Sequence, residues 1–328
     1  MQVLRFYSTR PLKSCSYSDD TVKMISQARA QTARCEPLDR QQIENRLKGC
    51  ACLPSLGSID SALKELLAAD QRYTSQIAEI IRRDPSLTAR ILRLVNSVYY
   101  GLSKPIKNIE EAVFYLGVRQ IRQLAMVTPI IEDFQKLAGN HRFPWREFWR
   151  HCISTALMTR EVIDIIQTPN EEIDYVAGLI HDVGKIVMTS AFPEHFDEIY
   201  RCRIAGGNDL LQLEKEVLGI DHAELGALYL KKQVLPEFFV EIVQFHHQPD
   251  QAHHHASIAA AVQVADLLVR HANIGNSGNR IEISDEACFT STGWKILFAH
   301  QTAEEKVITR ASLKRSLERI PTILEGLV

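Results

Sequence analysis

The sequence lacks a C-x-x-C pair: its seven cysteines, at 15, 35, 50, 52, 152, 202 and 288, are odd in number and fall at no metal-ribbon spacing. That excludes a disulfide framework or zinc ribbon as the organising feature, and a chain of 328 residues builds a core without staples. Free thiols in a reducing, cytoplasmic compartment are the expectation. Long apolar runs are missing as well; none approaches the roughly 18 residues that cross a bilayer, so no membrane span is expected. Charge of one sign is also scarce, with 38 Lys+Arg against 40 Asp+Glu and a formal net charge of −2. No Lys/Arg run forms the dense stripe that tracks a phosphate backbone, which leaves nucleic acid unsupported as a partner. What is there, 45% hydrophobic and 24% charged residues, belongs to an ordinary globular protein and not to a disordered chain or a coiled coil.

The N-terminus carries Arg5, Arg10 and Lys13 and no acid before Asp19, loosely like a mitochondrial presequence. Its apolar run at 3–7 is too short for a secretory signal, and residues 1–45 read as a partly disordered extension. From 53 to about 134 the pattern is helical. Asp84 and Pro85 suit a helix start, and Leu87, Ile91, Leu94, Val95 and Val98 then form one apolar stripe, expected to be core and to contribute no metal ligand. Another helix begins at Glu110, and Pro129 to Pro144 is punctuated like a boundary. An aromatic-rich helix is predicted over 145–163. Asn273 to Asn279 is a run of turn residues, read as an exposed loop. Leu313, Leu317, Ile320 and Leu324 recur at helical spacing near the C-terminus, in a helix that Pro321 should kink or interrupt. No strand alternation of useful length and no internal repeat appear. An all-α protein is predicted, with a helical N-terminal subdomain at 46–135, a helical core at 136–272, and a loop with C-terminal helices at 273–328.

The chemistry gathers in the core. Residues 173–187 are apolar nearly all round except Asp174 until they reach His181-Asp182, and a helix of that composition is buried. A buried carboxylate beside an imidazole costs several kcal/mol unless a cation or hydrogen-bond partner compensates. Alone, the pair fits a hydrogen-bonded core couple as well as a metal site. It is accompanied by His151 before it and by His222, His246-His247 and Asp266 after it. Imidazole and carboxylate together suit Fe, Mn, Zn and similar divalent ions.

The order His151, His181-Asp182, His222, His246-His247, Asp266 resembles the ligand series of the HD superfamily of phosphohydrolases. More narrowly, the chain resembles an HDOD protein, the HD-related output domain of bacterial signalling. The phrases that carry the likeness run from Arg83-Asp-Pro through Leu94-Val-Asn-Ser97, Ala112-Val-Phe-Tyr-Leu-Gly117, Phe148-Trp-Arg-His151, Gly178-Leu-Ile-His-Asp-Val-Gly-Lys185 and Asp221-His-Ala-Glu-Leu-Gly226 to His246-His-Gln-Pro249. The resemblance implies an N-terminal helical subdomain packed on an HD-type core, and a regulatory role through a signalling protein partner. Family members often lack part of the metal set; this chain keeps every ligand type. It implies one or two divalent cations held by His151, His181, Asp182 (bridging), His222, His246, His247 and Asp266. If the site turns over, the implied activity is metal-dependent phosphohydrolysis of a nucleotide or other phosphoester, with Asp182 and Lys185 in catalytic roles, the latter as phosphate contact or charge balance. No Gly-Tyr-Pro loop follows the His pair, so cyclic di-GMP hydrolysis is not supported, and a restricted site is expected. Glu147, one turn before His151, shares its helical face and reads either as an extra ligand or as a surface carboxylate. His253-His254-His255 point in different helical directions and read as surface residues.

Overall fold

Every regular element among the described residues is helical. The computed structural model describes residues 35–50, 92, 106–114, 143–167, 173–204, 209–279 and 281–325. The helices are α1 (Arg40–Gly49), α2 (Trp145–Ile166), α3 (Ile173–Ile180), α4 (Val183–Ala191), α5 (Pro193–Ile204), α6 (Leu210–Leu218), α7 (His222–Lys232), α8 (Glu237–Phe245), α9 (Ala256–His271), α10 (Asp285–Thr290), α11 (Thr292–Phe298) and α12 (Ala303–Glu325). Residues 109–114 are also helical. The protein is all-α, as its patterning predicts. The apolar stripe at 87–98 and most of the expected N-terminal subdomain lie outside the described residues. No described helix is long and apolar enough to cross a membrane.

Side-chain caps set several helix starts. Asp39 and Gln42 form a reciprocal capping box on α1. Asp221 accepts from Glu224 N to open α7, and Ser284 and Ser291 do the same for α10 and α11. These caps fix where a helix begins, and at α7 that places His222 at the first helical position.

The longest buried element is α2, which sets Phe148, Cys152, Ala156, Thr159 and Ile163 on one face at helical spacing. It packs against α3, α9 and α12. On α9 the small residues Ala259, Ala261 and Ala265 are fully buried, letting helices approach closely. A second contact layer joins α7 to α4 and α8. Two glycines permit the α4–α7 crossing: a Cβ on Gly184 would lie 1.8 Å from the His222 carbonyl oxygen, and Gly226 faces the Gly184 nitrogen. Any larger residue at 184 would force the two backbones apart.

Three expectations are corrected. Residues 173–187 do not form one helix; the chain breaks at His181-Asp182, where Asp182 takes φ −95° and ψ 14°. His181 Nδ1 donates to the Gly178 carbonyl at 2.7 Å, ending α3, and the Asp182 carbonyl accepts from Lys185 N at 3.0 Å, starting α4. The pair therefore occupies a corner, from which both side chains reach the interior. The 273–279 loop is not an exposed one. Ile274 and Ser277 are buried, Asn276 N donates to the Glu147 carbonyl at 2.8 Å, and Gly275 at φ +71° lies so close to α2 that a Cβ would meet His151 N at 2.3 Å. Its turn residues serve close packing, which composition alone does not distinguish from solvation. Pro321 does not interrupt α12, which continues to Glu325. Only one i to i−4 donor is lost there, on an exposed position near the helix end.

Candidate functional site

The corner between α3 and α4 meets side chains from α2, α7, α9 and the turn after α8. His151, His181, Asp182, His222 and His246 are each no more than 1% exposed, Asp266 is 4% exposed, and His247 is half-buried. Asp182 lies between two groups of donors. Its Oδ2 is 3.7 Å from His151 Nε2 and 3.4 Å from His181 Nε2, while its Oδ1 is 3.1 Å from His222 Nε2 and 3.9 Å from His246 Nε2. Asp266 Oδ1 completes the first group, 3.1 Å from His151 Nε2 and 4.0 Å from His181 Nε2. His247 completes the second, its Nε2 3.0 Å from that of His222. The trios His151/His181/Asp266 and His222/His246/His247 each have ligand atoms within 4.8 Å of one another.

The other nitrogen of three imidazoles is committed. His181 Nδ1 meets the Gly178 carbonyl and His246 Nδ1 the Val243 carbonyl, both at 2.7 Å; His222 Nδ1 meets Glu214 Oε2 at 2.6 Å. A carbonyl or carboxylate only accepts, so each Nδ1 donates and each Nε2 is left facing the centre, the arrangement that orients histidines for a metal. His151 Nε2, His181 Nε2, Asp182 Oδ1 and His246 Nε2 are buried without a hydrogen bond of acceptable geometry. Orphaned atoms of this kind are expensive in a dry interior, and divalent cations held by the two groups would satisfy all four. The residues fit the group.

The electrostatics agree. Burial lowers the pKa of His181. Burial, with His181 and His222 close by, takes His246 down to about 3, and burial with His246 holds His247 well below the ordinary imidazole value. Burial alone would raise Asp182, but Lys185 and His181 outweigh it and hold the carboxyl well below the usual range. Asp266 follows the same pattern, burial being outweighed by Arg270 and His151. For His222 burial is outweighed by the Glu214 carboxylate, raising its pKa to about 9. At neutral pH His181, His246 and His247 are therefore neutral and Asp182 and Asp266 ionised, donors suited to divalent ions, while His222 carries a proton that a bound cation would have to displace.

Lys185 is buried, with Nζ 2.7 Å from Asp182 Oδ2. Its position is that of a charge balance, one turn along α4 from the carboxylate it faces. Glu147 does not join the centre; its side chain is 48% exposed and faces Arg150 at 3.7 Å. His253 and His254 are exposed, and their backbone nitrogens donate to Glu241.

Sequence reading missed three supporting residues. Glu214 bonds both the backbone nitrogen and Nδ1 of His222; its signal is a carboxylate on the same face of α6 as Leu210, Leu213 and Leu218. Arg270 lies 3.3 Å from Asp266 Oδ2 at i,i+4. Gln263 donates to the His247 carbonyl at 2.6 Å and accepts from Gly293 N at 2.7 Å, tying the His pair to α11. A lone Gln on an alanine-rich helix carries no such signal.

Comparison with known proteins follows this geometry. An HDOD domain protein of unknown function from Geobacter sulfurreducens has a similar fold, with TM-score 0.75 and 23% identity over 88% of this chain and 99% of that one. A protein from Shewanella amazonensis SB2B named "Putative phosphohydrolase" gives TM-score 0.65 and 20% identity, over 87% and 98%. These likenesses concern fold alone. An uncharacterized protein of Treponema pallidum (strain Nichols) is 26% identical over 222 residues, 66% of this chain and 42% of that relative, so the chain spans less than half of the relative's length. The HDOD domain family matches residues 53–249, which is more than half of the sequence and takes in the histidine series from His151 to His247; the chain belongs to the HDOD domain family.

Proposed function

We propose that this chain is a regulatory module of bacterial-type signal transduction, acting on a signalling protein partner in the cytoplasm, and that its core holds one or two divalent cations of the Fe, Mn or Zn type. His151, His181 and Asp266 would hold one, His222, His246 and His247 the other, with Asp182 between them. The observation that carries this reading is the convergence of seven imidazole and carboxylate side chains on one buried corner, where four of them leave an Nε2 or Oδ1 atom without a partner. Burial favours regulation over turnover, because six of the seven are under 5% exposed and hydrolysis needs an open coordination position. Lys185 supports it too: its ammonium is engaged with Asp182 and not free for a phosphate.

A second reading, a metal-dependent phosphohydrolase, rests on the completeness of the donor set. A bound cation supplies Lewis-acid charge that lowers the pKa of water and offsets charge on a phosphoryl group. In that case Asp182 would be among the residues holding the cation, Lys185 would hold its charge in balance, and Glu214 and the Gly178 and Val243 carbonyls keep the imidazoles turned inward.

The test is the metal content of untagged protein, followed by assays of the loaded protein on phosphomonoesters, phosphodiesters and cyclic dinucleotides beside an Asp182→Ala control. Bound metal without turnover, with partner association that weakens when metal is removed, is the expected result. Turnover that vanishes in the control overturns regulation in favour of hydrolysis, and protein that takes up no metal overturns both.

A further inference from the structure

The outer face of α12 differs from the rest of the described surface. Among the described residues five large apolar side chains are exposed: Phe114, Val234, Ile281, Val307 and Ile308. The last two, each 65% exposed, are adjacent on α12, and exposed Ala311 lies one turn on from both. The opposite face of the helix, with Thr309, Leu313, Leu317, Ile320 and Leu324, is buried and packs on α2. This helix lies beyond the residues that the HDOD family matches.

Charge around this apolar patch is sorted along the helix. Lys314 is held by Asp285 at 2.7 Å, and Arg310 lies over the Phe289 ring at 4.8 Å. Glu304 and Arg315 are exposed and meet no ion-pair partner among the described residues. Glu304, Ile308, Ala311 and Arg315 recur at intervals of four, three and four residues, the spacing of a seam between two helices. The seam is negative at one end, apolar in the middle and positive at the other. A parallel copy would set Glu304 on Glu304 and Arg315 on Arg315, whereas an antiparallel copy is its charge complement. A two-fold axis beside Thr309 and Arg310 sets Ile308 against the second copy's Ala311 and Glu304 against the second copy's Arg315, each twice.

We infer that α12 pairs antiparallel with α12 of a second copy of this chain, Ile308 and Ala311 forming the apolar middle between two Glu304–Arg315 ion pairs. The pairing goes beyond the metal-centre reading and does not depend on it. About three turns of helix bury less than the roughly 1,200 Å² of a stable complex. The dimer is therefore a weak one, with a Kd on the order of 100 µM.

The experiment is sedimentation equilibrium of the untagged full chain from about 10 µM to about 1 mM, a range that brackets the expected Kd. Wild type should pass from monomer to dimer across it. Ile308→Glu, at an exposed position that folding does not need, should weaken the dimer by about 100-fold or more, because two apolar contacts are lost at once. Glu304→Arg and Arg315→Glu should each weaken it roughly tenfold by setting like charges face to face. An equimolar mixture of those two variants, and the chain that carries both substitutions, should associate as wild type does, which a misfolded variant would not. A chain that stays monomeric over the whole range overturns the inference, as does a dimer indifferent to Ile308→Glu. Loss of the dimer in either charge variant without recovery in the mixture overturns the antiparallel pairing and the inference with it.

Discussion

His151 and Asp266 project from the middles of α2 and α9, two of the most deeply buried helices, whereas His222 is the first residue of α7, and His246 and His247 follow the last turn of α8. These two members of the first donor group are positioned by helix packing: α2 and α9 are in contact, and moving either donor means moving a core helix, while His181 beside them is held by its bond to the Gly178 carbonyl. The second group is positioned by individual hydrogen bonds, from His222 to the Glu214 carboxylate and from Gln263 to the carbonyl of His247. Core packing yields only to cavity or overpacking changes, while a hydrogen-bond brace is removed by one conservative substitution. The two halves of one centre should therefore be separable, with Asp182 as the residue they share.

The largest effect is expected where the halves meet. Asp182→Asn removes the negative charge that faces both trios and Lys185. Because even supporting residues change metal affinity roughly 10–100-fold, loss of the shared carboxylate should lower uptake at both positions by more than about 100-fold, read as metal per chain after dialysis. Retention of one full equivalent would show that Asp182 is not shared. Next in size is Gly184→Ala. Its methyl would sit 1.8 Å from the His222 carbonyl oxygen, so α7 must shift; a loss of about 3 kcal/mol in urea denaturation is expected, with uptake reduced first at the His222 side. Glu214→Gln should be milder. The amide keeps the shape but not the charge beside His222, and affinity at that position should fall roughly tenfold while the His151 side is unchanged. Equal loss on both sides would break the comparison.

The asymmetry also explains what could be read from the sequence. The all-α class and the imidazole–carboxylate series that converges on one corner were legible because helical periodicity and residue order are local properties of the chain. The Gly178-Leu-Ile-His-Asp phrase announced a buried polar pair, but not that the helix breaks there, since the break depends on a side chain turning back onto its own carbonyl. Glu214 and Gln263 were missed because each acts on a residue through the fold, Gln263 reaching His247 from another helix, whereas Arg270 is one turn from Asp266 on α9 and lay within reach of helical spacing. The 273–279 strap was read as solvated because glycine and asparagine mark turns, whether the turn faces water or, like Gly275, the backbone of α2. Patterns expose what a residue is, and the braces of the second donor group depend on where it goes.

The smallest expected effect concerns that second group and acid. Glu241 lies on α8, one turn before the His pair, and accepts from the backbone nitrogens of His253 and His254, the latter at 2.9 Å. Burial raises its pKa, but the bonds from His254 and His253 outweigh this, and the carboxyl titrates below its ordinary value of 4.5. A carboxylate with a lowered folded-state pKa contributes stability that is present in full above the unfolded value and is lost as pH falls through the folded one. Glu241→Gln should thus cost roughly 1 kcal/mol at pH 7, the difference between a charged and a neutral acceptor, and the gap between wild type and variant should close below about pH 4. Denaturant unfolding from pH 7 down to 3 measures it. A gap that stays constant with pH would mean that Glu241 acts by packing and not by charge, and the anchoring of α8 would then resemble that of α2 and α9 more closely than the donor geometry suggests.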